Sequence, residues 1–247
     1  MKIVFLGTNG WYDTATGNTI CIFAETDDYI IILDAGNGLY KLNKYSGIKK
    51  PAYIFLSHFH LDHLIGFHIL NKFKFFKGLT ICGPTGTKRI LNNIINAPFT
   101  ISLDKLEFET SIFELPHDER YLPFKVVSMP LLHSSLTLGF RFEIDGKILS
   151  YCPDTGFCKN AVILAKNSDL LIADCAFKSG QEDKNWPHLN PETAAKIAKE
   201  SNSKMLALVH FDAEIYSILE DRYKAEDGAK KFFAKTVATF DQMEIEI

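Results

Sequence analysis

A chain of 247 residues, 47% of them hydrophobic, can bury a sizeable core and falls within the range of one large domain. Its net charge of -3 and pI near 6.2 exclude the molecule-wide positive field that draws proteins to nucleic acid regardless of sequence, so a nucleic-acid substrate would need a local basic patch. The N-terminus enters a strand without the apolar run of a signal peptide, no segment has membrane-spanning length, and Cys21, Cys82, Cys152, Cys158 and Cys175 form no C-x-x-C pair; these features predict a soluble cytoplasmic protein with reduced, buried thiols and no membrane partner.

In chain order, β-branched and aromatic runs at residues 2–6, 19–24, 29–34 and 53–57 predict strands. Helical spacing of apolar residues over 62–73, with Asp62 placed to cap or begin it, predicts a helix, and a strand ends at 81–84. A helix near 86–96 precedes strands at 106–114, 124–130, 136–144 and 147–152, the last pair joined by the hairpin signal Asp145-Gly146. The closing third alternates helix (158–167), strand (170–175), helix (191–201, with Asn190 as cap and Pro191 in its first position), strand (205–210) and helix (217–233). Two strand-rich halves with outer helices and no linker between them predict one α/β domain over residues 1–247: an αββα sandwich of two mixed sheets packed face to face, with helices on both outer faces.

The strand at 53–57 delivers His58 at its end, and His58, His60, Asp62 and His63 fall within six residues. An isolated histidine is ordinarily a hydrogen-bonded core or surface residue, but packing does not explain four such groups together. Imidazole and carboxylate are ligands for Zn²⁺ and similar first-row ions. His58 and His60 can grip one ion, and Asp62 and His63, turned elsewhere by the loop, can begin a second site.

The segment SHFHLDHLIG resembles the signature of metallo-β-lactamase-fold hydrolases. That resemblance implies that His133 completes the first site, that Asp154 bridges both ions and that His210 completes the second; all three lie at or just past a predicted strand end. Within the superfamily the chain is more similar to the ribonuclease Z group of phosphodiesterases, through FLGTNG, Asn18-Thr19, LDAGNG, SDLLIADCAF, HLNPETAAKIAKE, LVHF and MEIEI in that order. The likeness spans nearly the whole chain. It implies two divalent ions, Zn²⁺ with Mn²⁺ or Fe²⁺ as alternatives, a hydroxide shared between them, Asp62 orienting that nucleophile, and His188 protonating the leaving oxygen with help from Asp174. It also implies a homodimer. Asp34 is either the carboxylate that supports the metal-binding histidines or a turn-former before Gly36.

Two departures bear on substrate. The group carries a long tRNA-clamping arm between the residues matching His133 and Asp154, which here stand only 21 positions apart around a hairpin. The group usually has His-Glu where this chain has Ala173-Asp174, so a proton relay there would be one methylene shorter and lack a histidine. The expected substrate is a small or cyclic phosphodiester or a nucleic-acid end. The alternatives are a carbonyl ester, lactone or thioester on the same ions, tRNA 3′-end cleavage, a non-catalytic metal-stabilised protein and a redox use of the site. Elsewhere the plainer reading is preferred: FKFFKG at 73–78 as a helix end with lysines over a core face, His68 on its helix, His117 with Arg120 and Tyr121 in a solvated turn, and LGTNG without a Walker lysine.

Overall fold

The computed structural model describes residues 1–45 and 49–247. Its strands are β1 (Lys2–Gly7), β2 (Asn9–Gly10), β3 (Cys21–Glu25), β4 (Ile30–Leu33), β5 (Ala52–Phe55), β6 (Leu79–Pro84), β7 (Thr110–Leu115), β8 (Lys125–Pro130), β9 (Leu138–Ile144), β10 (Lys147–Cys152), β11 (Leu170–Asp174), β12 (Leu206–Val209), β13 (Phe211–Asp212), β14 (Thr236–Ala238) and β15 (Glu244–Glu246). The α-helices are α1 (Leu61–Leu64), α2 (Thr87–Ile94), α3 (Lys159–Leu164), α4 (Pro191–Glu200) and α5 (Leu219–Lys230), and 3₁₀ helices at Asn37–Tyr45 and Ile65–Lys72 cover part of the first half.

Many strands are apolar at consecutive positions because each sheet is covered on both faces. In β1 and β4, Ile3, Phe5, Ile31 and Leu33 point into the layer between the sheets, while Val4, Leu6, Ile30 and Ile32 point to the outer helical layer. The second half repeats the pattern: Leu170, Ile172, Ala207 and Val209 face inward, whereas Leu171, Ala173, Leu206 and Leu208 meet α3, α4 and α5. The result is the expected αββα sandwich, with a seven-stranded sheet (β15-β1-β3-β4-β5-β6-β7) and a six-stranded sheet (β14-β12-β11-β10-β9-β8). A small parallel pair, β2 with β13, stitches the loop after β1 to the chain after β12.

Local signals explain several boundaries. Asn190 caps α4 in a reciprocal box with Thr193, and Pro191 opens the helix. Asp145 and Gly146, at φ 54° and 69°, make the tight turn between β9 and β10. The helix predicted over 62–73 is a single α turn continued as a 3₁₀ helix, because the turn after β4 intercepts its bonds: Ala35 N–H donates to His63 O at 2.7 Å and Gly66 N–H donates to Ala35 O at 2.8 Å. Asp62 is inside the first turn rather than its cap, which is His60. The FKFFKG segment is not a helix end: residues 73–75 are extended, with Phe73 and Phe75 buried and Lys74 exposed, and Phe76-Lys77 forms a turn closed by Gly78 N–H donating to Phe75 O at 3.0 Å. The short strands β14 and β15 were not among the predicted elements. Among the described residues, no helix is long and apolar enough to cross a membrane.

Candidate functional site

The parallel strands β4 and β5 of one sheet and β10, β11 and β12 of the other end at the same edge of the sandwich. Asp34 follows β4, His58 follows β5, Asp154 follows β10, Asp174 ends β11 and His210 follows β12; His133 lies in the turn between β8 and β9. Asp34, Asp154 and His210 take positive φ values of 55°, 26° and 57°, a left-handed conformation that non-glycine residues rarely adopt and that turns each side chain sharply from its strand.

The side chains assemble into two groups that face Asp154 from either side, and a third grouping, of Asp154, His188 and His210, overlaps them. Donor atoms of His58, His60, His133 and Asp154 all lie within 4.8 Å of one another, and those of Asp62, His63 and His210 do the same. Asp154 divides its oxygens between them. Oδ2 stands 3.7 Å from His58 Nε2 and 3.8 Å from His133 Nε2, while Oδ1 stands 3.1 Å from His63 Nε2 and 3.2 Å from His210 Nε2. Asp62 Oδ2 approaches His210 Nε2 at 3.3 Å and accepts the Trp11 backbone N–H at 2.8 Å. Every sequence-predicted ligand is therefore in one cluster.

A second layer orients the rings. The buried Asp34 Oδ2 accepts from Tyr151 Oη at 2.6 Å and Ser57 Oγ at 2.9 Å and pairs with His63 Nδ1 at 2.8 Å; Asp34 Oδ1 accepts the Ser57 N–H at 2.7 Å. Having donated to Asp34, Ser57 Oγ accepts from His58 Nδ1 at 2.9 Å. One Asp-Ser unit thus leaves the Nε2 lone pairs of His58 and His63, one from each group, facing the centre. Both readings of Asp34, turn-former and support, describe the same residue.

The electrostatics favour cations. Burial holds His58, His60 and His133 below the ordinary histidine range, as neutral donors. Burial would raise Asp62 and Asp154, but the facing histidines outweigh it and keep both ionised. Burial would lower His63 and His210, yet Asp154 with its neighbouring carboxylates pushes both up, His210 to about 10. No lysine or arginine lines the cavity among the described residues, so positive charge is what this location lacks. His58 Nε2 and Asp154 Oδ1 are buried without a hydrogen-bond partner; Asp174 Oδ1 and His210 Nδ1 are too, their 3.3 Å approach being out of line. Ligand atoms around one tetrahedral Zn²⁺ stand roughly 3.3 Å apart. Orphaned donors at comparable spacing fit two divalent cations.

Asp174 Oδ2 pairs with His188 Nδ1 at 3.0 Å and accepts the Leu189 N–H at 2.7 Å, so the shorter carboxylate still reaches His188. Burial lowers His188, but Asp174 outweighs it and raises the ring above its ordinary range. Ala173 faces the outer helical layer, so a histidine there would lie on the opposite face of the sheet from this pair.

The cavity above the cluster has a volume of about 690 Å³. Its wall includes Trp11 and Trp186, which the sequence reading did not single out, as it also missed Ser57 and Tyr151. Ser57 could have been found from its place beside His58; the tryptophans carry no local signal beyond rarity. Gly10 abuts His210, because a Cβ there would lie 2.4 Å from the ring. His117 is exposed and paired with Asp118, and His68 is exposed on its 3₁₀ helix; neither lines the cavity.

Comparison with known proteins returns a family model described as "Beta-lactamase superfamily domain" over residues 29–211. Curated relatives named Ribonuclease Z, from Methanosarcina mazei and Methanosarcina acetivorans, are 25% and 26% identical, each alignment covering 100% of this chain and 98% of the relative. The first extends over 308 positions against 247 residues here, so at least 61 positions of that relative have no counterpart. Among solved structures, the metallo-beta-lactamase fold protein YhfI from Bacillus subtilis is similar at TM-score 0.83 and 22% identity, covering 100% of this chain and 99% of that one. The short form of human tRNase Z is similar at TM-score 0.77 and 23% identity, with the same coverage. At these identities the structures support the fold.

Proposed function

We propose that this chain, which belongs to the beta-lactamase superfamily, is a metal-dependent phosphodiesterase acting on small or cyclic diesters or on nucleic-acid ends. The observation that carries the reading is Asp154 with its two oxygens turned to two ligand groups, beside a histidine oriented by its own carboxylate. Two divalent ions bound there, Zn²⁺ by the imidazole-rich donor set, would acidify water and neutralise charge on the phosphoryl oxygens. His58, His60, His133 and Asp154 would hold one, and Asp62, His63, His210 and Asp154 the other.

The protein's own groups supply the remainder. Asp62, steadied by the Trp11 N–H, orients the attacking water. His188 has its Nδ1 committed to Asp174, which leaves Nε2 to give a proton to the departing oxygen. That donor suits substrates with alkoxide leaving groups, which need a proton, over a thioester, whose thiolate departs without one. The missing positions relative to the ribonuclease Z proteins, the tight turn between β9 and β10, and a cavity wall without lysine or arginine argue for small substrates over a folded tRNA. The unpaired cysteines support a reducing, cytoplasmic location.

The test is turnover by Zn²⁺- or Mn²⁺-loaded protein of bis(p-nitrophenyl) phosphate and a dinucleoside phosphate, beside a lactone and a thioester. Hydrolysis of the diesters alone, lost in Asp62→Ala, is expected. Turnover of the lactone or thioester with both diesters inert refutes the reading.

A further inference from the structure

The chain has two tryptophans, and both line the cavity over the ligand cluster. Each attends a different ligand group. Trp186 lies nearly parallel to the His60 ring, with centroids 5.7 Å apart at 11°, and meets His133 at 5.5 Å. Trp11 is tied to the other group through its backbone, whose N–H donates to Asp62 Oδ2, while its side chain lines the cavity. Neither is packed away: Trp186 is 48% and Trp11 63% exposed.

Trp11 also has φ 72°, a conformation costly for a bulky side chain and ordinarily given to glycine. A strained, exposed aromatic at the mouth of a site is evidence of use rather than packing. Exposed tryptophan faces offer sequence-tolerant stacking to flat rings. The charged groups on the same wall, apart from histidines, are Asp62, Asp154 and Asp212, so a substrate bearing several negative charges would meet repulsion beyond the ion positions.

We propose that Trp186 and Trp11 form a two-sided stacking platform that selects a singly charged, nucleotide-sized diester whose ester arms carry flat rings, either aryl groups or nucleobases. This rests on the phosphodiesterase reading, and names its substrate class. Phosphate position is set at the ligand cluster, and preference among diesters is set by what each arm presents to a tryptophan. Trp186 is the stronger determinant, because its ring is already parallel to His60 and backed by it.

Two measurements on Zn²⁺-loaded protein decide it. Tryptophan emission reports only the cavity mouth, and Trp186→Leu and Trp11→Leu each leave a single reporter. Titration with dithymidine phosphorothioate is expected to quench emission, with affinity falling about 5- to 100-fold in Trp186→Leu and recovering in Trp186→Phe at unchanged metal content. Diethyl phosphate is expected to bind more weakly than the phosphorothioate. In turnover, the preference for bis(p-nitrophenyl) phosphate over methyl p-nitrophenyl phosphate, which share a leaving group, is expected to collapse in Trp186→Leu. Equal phosphorothioate affinity in wild type and both leucine variants, or an unchanged preference, overturns the platform. A long oligothymidylate binding more tightly than the dinucleotide with steep salt dependence overturns the size limit. If neither the aryl diesters nor a dinucleoside phosphate turns over, the diesterase reading falls, while the fluorescence titration still decides the platform.

Discussion

Asp34→Asn changes one oxygen to an amide nitrogen with almost no change in volume, yet it should cost one ion most of its affinity. Asp34 Oδ2 faces Tyr151 Oη, Ser57 Oγ and His63 Nδ1, while Oδ1 faces the Ser57 N–H. If the amide keeps its oxygen toward Ser57 N–H, its NH₂ meets the His63 Nδ1–H; the hydroxyls can rotate, but the ring must move its proton to Nε2 and so lose the lone pair that faces the centre. If the amide flips, NH₂ meets the Ser57 N–H instead, leaving a buried donor unsatisfied at a cost of about 1–3 kcal/mol. The first orientation predicts a loss of about 10- to 100-fold in metal affinity, and the second a lower urea midpoint for the metal-free protein. Competition with a chromophoric chelator and urea unfolding separate the two. Affinity within about threefold of wild type together with an unchanged midpoint refutes the assignment of Asp34 as the group that fixes the His63 tautomer.

Gly10→Ala should displace the His210 ring, since the added carbon would stand 2.4 Å from it, and lower bound metal after gel filtration from two equivalents toward one; two retained equivalents count against His210 as a ligand. Chelation should destabilise the fold, and readdition of Zn²⁺ to about 100 times Kd should restore about 2.7 kcal/mol for each ion bound, read as a shift in Tm. In the folded protein only Cys158, half-buried, should react readily with a thiol reagent, because burial pushes the thiols of Cys21, Cys82, Cys152 and Cys175 up; unfolding should expose all five. His188→Gln should reduce kcat by roughly 10²- to 10⁴-fold for an alkoxide leaving group but far less for p-nitrophenolate, which departs without a proton. Equal losses on both leaving groups count against His188 as the acid.

Four members of the cluster were legible because they fall within six residues, whereas His133, Asp154 and His210 came from the family resemblance; their place at strand ends, where a layered α/β fold gathers distant residues, is what brings them to the same edge. The capping pattern at Asn190-Pro191 and the Asp145-Gly146 turn were legible for the same reason: their physics is local. What was not legible depends on partners far along the chain. Tyr151 reads as an ordinary inward strand residue until β10 brings it to Asp34, 117 positions away. The strands β14 and β15 have three residues each and exist only by pairing at the sheet edges. The helical pattern after His60 was real, but competition from Ala35 for its backbone bonds decided its form.

Trp11, Asp34, Asp154 and His210 all hold left-handed backbone at the edge where the cations would sit, and each such conformation costs about 1–3 kcal/mol unless its surroundings enforce it. The enforcement is visible residue by residue. Asp34 is fixed by four hydrogen-bonding groups, Trp11 by its backbone N–H on Asp62, and His210 by the β2–β13 pair that follows it, whose Gly10 abuts its ring. Asp154 has no comparable set: its Oδ1 is among the buried atoms without a hydrogen-bond partner. The left-handed carboxylate with the fewest hydrogen-bond partners is therefore the one that faces both groups, and bound cations would supply the compensation that its surroundings do not. On the proposed function, ion binding and the stability of this edge would be one property, so substitutions at Asp154 should weaken both together, whereas substitutions at His188 should leave metal content intact and act on turnover.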